Sequence, residues 1–178
     1  MSNKENGKIA VKTVCFSILI HKQSRGIVSM DEQQYAALKL DNQLCFPLYA
    51  SARAVTKMYK PFLDLIDLTY TQYIAMLILW EQRSATVKEM GERLYLDSGT
   101  LTPLLKKLEA KGLLTRQRSA RDERNLIVTV TDAGMALREK ALGIPELMHR
   151  RCPLSNEEAY QLYGLLQRIL SMSAPTEE

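Results

Sequence analysis

The 178-residue sequence is short of the residues that staple or metallate small domains. It has three cysteines, Cys15, Cys45 and Cys152, far apart and without a Cys-x-x-Cys pair, and two histidines, His21 and His149. An odd, scattered set argues against a disulfide scaffold and against a zinc site. What remains is free thiols in a reducing compartment, each either buried filler or a reactive group. No run reaches the roughly 20 apolar residues that span a bilayer. Residues 8–20 (KIAVKTVCFSILI) have the basic start and apolar run of a signal peptide. Lys12 interrupts that run, however, and no small-residue cleavage site follows. The sequence also lacks repeats and low-complexity segments. These shortages leave a soluble cytoplasmic chain with no expected membrane, metal or cofactor. Its 46% hydrophobic and 25% charged residues are ordinary for a globular protein. A net charge of +4 permits a nucleic-acid partner without demanding one.

Residues 1–37 differ from the rest and are expected to be a poorly ordered extension, with Met30 the other candidate start. Residues 38–178 are expected to form one domain. Leu44, Leu48, Ala52, Val55 and Tyr59 follow helical spacing; Pro47 places the helix start or a kink near Cys45, and Pro61 closes the segment. Residues 69–82 form a second, strongly apolar helix. Thr86 and Glu89 make a capping box for a third, short helix with Val87, Met90 and Leu94 on one face. Ser98 is the expected cap of a fourth, whose stripe of Leu101, Leu104, Leu105 and Leu108 ends at Gly112. Pro103 either loosens its first turn or moves the regular start to itself. Two β-prone runs, 113–118 and 126–131, flank a charged loop as a hairpin. A helix over 132–142 follows, with Pro145 after its end. Ser155 and Glu158 then open the last helix, with Ala159, Leu162, Tyr163, Leu166, Ile169 and Leu170 as its stripe. Helix, short helix, turn, helix, hairpin predicts a mainly α fold with a small β-hairpin wing, a winged helix-turn-helix.

Such a fold lays its second helix in the major groove. Asp97, Ser98, Thr100 and Thr102 stand at that helix's exposed start, where small hydroxyls suit phosphates and base edges. Lys106, Lys107 and Lys111 lie further along it, and the hairpin carries Arg116, Arg118, Arg121 and Arg124. Between Leu101 and Asn125 seven basic residues face three acidic ones, so the positive charge of the chain is concentrated here. Taken alone, these charges favour a solvated surface hairpin, with an acidic protein partner as a further rival. Joined to the helix-turn-helix they point to double-stranded DNA.

Residues 86–134, TVKEMGERLYLDSGTLTPLLKKLEAKGLLTRQRSARDERNLIVTVTDAG, resemble the DNA-binding core of the MarR family of bacterial regulators. The wing pattern Asp122-x-Arg124 and the later Thr131-x-x-Gly134 carry the likeness. It implies a homodimer with interlocking first and last helices on a near-palindromic operator.

Cys45 lies upstream of that core. A thiol reacts with peroxide as the thiolate, so it needs donors or dipole ends nearby. A helix start offers one, and Tyr49, Tyr59, Tyr70 and Tyr73 offer hydroxyls. The bland alternative is a small hydrophobe among packing tyrosines. LDNQLCFPLYAS, YKPFLD, LTYTQY and LYLDSGTLTPLLKKLE, within residues 38–145, resemble the organic-hydroperoxide-responsive branch of the family, although Pro47 replaces the bulkier apolar residue expected there. The resemblance implies that an organic hydroperoxide, as inducer, oxidises Cys45 to the sulfenic acid. It further implies that Tyr59 and Tyr70 hydrogen-bond to Cys45 across the dimer, with Tyr49 a further candidate. Cys152 lies where some members carry a second cysteine, which implies an intersubunit Cys45–Cys152 disulfide; without it a small thiol caps Cys45. Arg150 and Arg151 flank Cys152 and favour its thiolate. Cys15 receives no role. The expected protein is a repressor that releases DNA on oxidation, its target gene encoding a peroxidase. The alternative is a repressor sensing a phenolic ligand; an enzyme, a thiol peroxidase, would want a reducing pair that the sequence lacks.

Overall fold

The computed structural model describes residues 35–36, 38–119 and 125–172. The expected N-terminal extension, Cys15, and Arg121, Asp122 and Arg124 of the wing lie outside them, apart from positions 35 and 36 of the extension. The chain divides into two compact units, one ending at Met58 and one starting at Tyr59. In the first, a 3-10 turn (Leu40–Asn42) precedes the start of helix α1 (Cys45–Leu63), and none of the described residues is buried. Pro47 occupies the first turn of α1, where an N–H has no intrahelical acceptor, so the helix begins at Cys45 as its sequence suggests. Pro61 does not close α1. A proline removes only its own N–H, so Phe62 and Leu63 still complete the last turn before a 3-10 turn (Asp64–Ile66).

The second unit is built on helix α2 (Tyr70–Gln82), which starts where a Thr69–Gln72 capping box satisfies its first amides. Tyr73, Ala75, Met76, Ile78, Leu79 and Trp80 are buried, making α2 the core helix its composition predicts. Strand β1 (Ser84–Thr86) follows and was not expected; three residues show no periodicity, and its partner β3 is more than forty positions away. The Thr86–Glu89 capping box then opens α3 (Val87–Leu94). Helix α4 (Ser98–Ala110) is continuous through Pro103 and ends in a Schellman motif. There Gly112 at φ +71° donates to the Glu109 carbonyl at 2.8 Å and Leu113 donates to Leu108 at 3.1 Å. Strands β2 (Leu114–Arg118) and β3 (Leu126–Val130) pair from Leu114↔Val130 to Arg118↔Leu126. With β1 they form an antiparallel sheet in the order β1-β3-β2, one strand more than a simple hairpin wing.

Helices α5 (Asp132–Ala141), α6 (Ile144–Arg151) and α7 (Asn156–Leu170) complete the described chain. Helix α6 was missed because Pro145 reads as a stop; it sits instead in the first turn, where proline is preorganised. Thr131 caps α5 by accepting from the Gly134 amide at 3.0 Å and donates its hydroxyl to the Gly112 carbonyl at 2.6 Å. A Cβ on Gly134 would stand 2.1 Å from the Leu113 carbonyl oxygen, so backbone approach itself demands glycine there. The Gly134 carbonyl in turn accepts the buried Trp80 indole N–H at 2.8 Å. The Thr131-x-x-Gly134 pattern is thus the joint between α2, the end of α4 and the base of the wing. Among the described residues no single helix is long and apolar enough to cross a membrane.

Candidate nucleic-acid interface and sensor site

The recognition element rests on Leu101, Leu104, Leu105 and Leu108, none more than 8% exposed. Burying each contributes roughly 1.5–3 kcal/mol and fixes which face of α4 stays outside. Asp97, rather than Ser98, caps the helix: its carboxylate accepts the Thr100 amide and hydroxyl, each at 2.9 Å. Those bonds, the amide foremost, hold the Asp97 carboxyl below the usual carboxylate range. Ser98, Gly99 and Thr100 are exposed, Thr102 is half-buried, and Lys106 and Lys107 are exposed away from the leucines. A helix start of this kind offers unsatisfied amides to phosphate.

Two of the basic residues are already engaged. Lys111 bonds the Asp67 carboxylate at 2.9 Å and also the Asp67 carbonyl. Arg116 turns back from β2 to Glu109 on α4, with Nη2 2.6 Å and Nε 3.0 Å from Oε2. Arg118 is exposed. Sequence reasoning overlooked Glu109, whose pairing across the Gly112 turn no helical period reveals. It overlooked Tyr95 as well, which ends α3 in the left-handed region (φ +53°) with its ring exposed two positions before the Asp97 cap.

Of the residues expected to serve as sensors, Cys45 is the exposed first residue of α1, and Cys152 is the exposed C-cap of α6. Tyr59 and Tyr70 are brought together, ring centroids 5.0 Å apart, with Tyr73 5.9 Å from Tyr59. Burial, then the neighbouring Tyr70, pushes the Tyr59 phenol above its ordinary value, so it is a hydroxyl donor at neutral pH. Tyr49 accepts a hydrogen bond from Arg53 at 2.7 Å. The arginines beside Cys152 have other partners: Arg150 pairs with Glu146 at 3.0 Å, and Arg151 lies over the Phe62 ring at 4.6 Å.

A helix-turn-helix (α3 and α4) followed by the β2–β3 hairpin, with β1 added to the same sheet, is the architecture of a winged-helix DNA-binding regulator. Residues 57–141 match the family model described as transcriptional regulator SarA/Rot. The chain is 51% identical over 139 residues to the organic hydroperoxide resistance transcriptional regulator of Bacillus subtilis, covering 78% of this chain and 95% of that one. Among solved structures it resembles reduced AbfR bound to DNA, at 35% identity and a TM-score of 0.65, over 80% of this chain and 99% of that one. It also resembles disulfide-formed AbfR, at 34% identity and a TM-score of 0.56, over 80% and 97%; AbfR is a protein of Staphylococcus epidermidis. The chain belongs to the MarR family of winged-helix transcriptional regulators, in its organic hydroperoxide resistance branch.

Proposed function

We propose that this protein is a homodimeric cytoplasmic repressor that binds operator DNA while Cys45 is reduced and releases it when an organic hydroperoxide oxidises that thiol. The observation that carries the reading is the exposed Cys45 at the first position of α1, in a chain 51% identical to an organic hydroperoxide resistance regulator. The Cys45 sulfur attacks the peroxide, taking one oxygen to become the sulfenic acid, and the remainder leaves as the alcohol. Tyr59 and Tyr70 of one subunit serve as hydroxyl donors to Cys45 of the other. The sulfenic acid then condenses with the Cys152 thiol of the other subunit, expelling water and forming the disulfide. Each oxidation event is stoichiometric, so the chain works as a switch and not as a peroxidase.

On DNA, Ser98, Thr100, Thr102 and Lys106 read and hold the major groove, Asp97 orients Thr100, and Arg121, Asp122 and Arg124 belong to the wing. The exposed apolar residues of α7, including Leu162 and Ile169, are covered by a second copy of the chain. Two recognition helices held one DNA turn apart bind a palindromic site, and loss of that spacing releases it.

The test is DNA release on adding cumene hydroperoxide to reduced wild type, Cys45→Ser and Cys152→Ser. Wild type lets go and Cys45→Ser stays bound; Cys152→Ser separates disulfide formation from capping by a small thiol. Equal responses from all three, or none from any, would sink the reading and return the sensor to a ligand pocket.

A further inference from the structure

The fold leaves β2 at the edge of its sheet, so one row of its backbone groups faces away from β3. One of them, the Arg116 amide, donates to Glu109 Oε1 at 3.0 Å. The guanidinium of the same residue donates to the other oxygen, Oε2, through Nε and Nη2. A single carboxylate on the last turn of the recognition helix thus receives three donors from a single wing residue. The Arg116 side chain is only 17% exposed, far less than a residue poised to meet phosphate. Hydrogen bonding from Arg116 also holds the Glu109 carboxyl below its ordinary range, so the clamp is charged at neutral pH.

We propose that Glu109 and Arg116 are positioning residues: Arg116 does not contact DNA but locks the edge of the wing to the recognition helix, setting the angle at which the two meet the duplex. This rests on the DNA-binding reading above and reassigns Arg116 within it. Fork-like pairing of arginine with a carboxylate fixes direction as well as distance, and the added backbone bond removes the remaining freedom of rotation. With α4 seated in the major groove, the clamp determines where the exposed Arg118 at the end of β2 arrives.

The proposal predicts a sign opposite to simple electrostatics. Deleting an acidic charge beside DNA ordinarily tightens binding by removing repulsion from phosphates. Glu109→Gln instead weakens it, by about tenfold, within the range that coupled neighbours contribute. Arg116→Gln weakens it by the same factor and with the same dependence on salt, and the double variant is no worse than either single one. The probe is a duplex selected from a random library by the reduced wild type; failure to select any duplex would overturn DNA binding itself, separately from the clamp. Thermal unfolding of each variant confirms that it is folded. A Glu109→Gln protein that binds as tightly as wild type or tighter overturns the proposal. So does an Arg116→Gln protein that alone lowers the logarithmic salt slope by about 0.9, the signature of one lost phosphate contact.

Discussion

Helices α4 and α7 carry the same spacing of apolar residues, yet one buries its stripe and the other buries none of it. Leu101, Leu104, Leu105 and Leu108 of α4 lie against α2, α3 and the sheet, whereas Leu162, Tyr163 and Ile169 of α7 are 42%, 62% and 42% exposed. Periodicity reports that a helix has an apolar side; it does not report what covers that side. The recognition helix is completed by its own chain. Within its own chain α7 is held by its capping box, and under the proposed function a second copy covers its stripe.

The comparison can be broken in four places. The largest expected effect is at Leu105, fully buried: Leu105→Ala costs about 2–5 kcal/mol in chemical unfolding, whatever the protein concentration. Next is Leu162→Arg on α7, which leaves the recognition unit folded but makes melting concentration-independent where wild type melts higher at higher concentration. Sedimentation then reports a monomer; a dimer of wild-type strength would show that the α7 stripe serves something else. A smaller effect comes from acid. Hydrogen bonds from Thr86 lower the Glu89 carboxyl in the α3 cap, and those from Ser155 lower Glu158 in the α7 cap. Each carboxyl is more acidic folded than unfolded, so its stabilisation is complete above the ordinary carboxylate range and disappears as pH falls through the lowered values. Melting temperature measured from pH 7 to pH 3 therefore falls less steeply for Glu89→Gln than for wild type. The smallest is Tyr95→Gly, which relieves a left-handed residue and raises stability by roughly 0.5–1 kcal/mol in thermal unfolding.

The same contrast explains what the sequence could disclose. The Thr86–Glu89 and Ser155–Glu158 boxes and the Gly112 terminus were legible because each is closed within a few residues, and the leucine stripe of α4 because its period is local. The cap of α4 was misplaced by one residue because Asp97 and Ser98 are both good caps, and only backbone geometry chooses between them. Strand β1 and the Glu109–Arg116 clamp depend on partners brought near by the fold, for which no spacing rule exists. The candidate thiols were legible as residues, since free cysteines are few, and their exposure came only with the coordinates.

The joint at Gly134 also gives the molecule an optical gauge. Trp80 is the single tryptophan of the chain, 6% exposed, its indole N–H spent on the Gly134 carbonyl at the head of α5. All indole emission therefore comes from one place, where the core helix meets the segment leading out of the wing. Prising those elements apart would hydrate that ring and redden its fluorescence, so movement between the core helix and the DNA-reading half of the fold can be followed in the untouched protein, without attaching a dye.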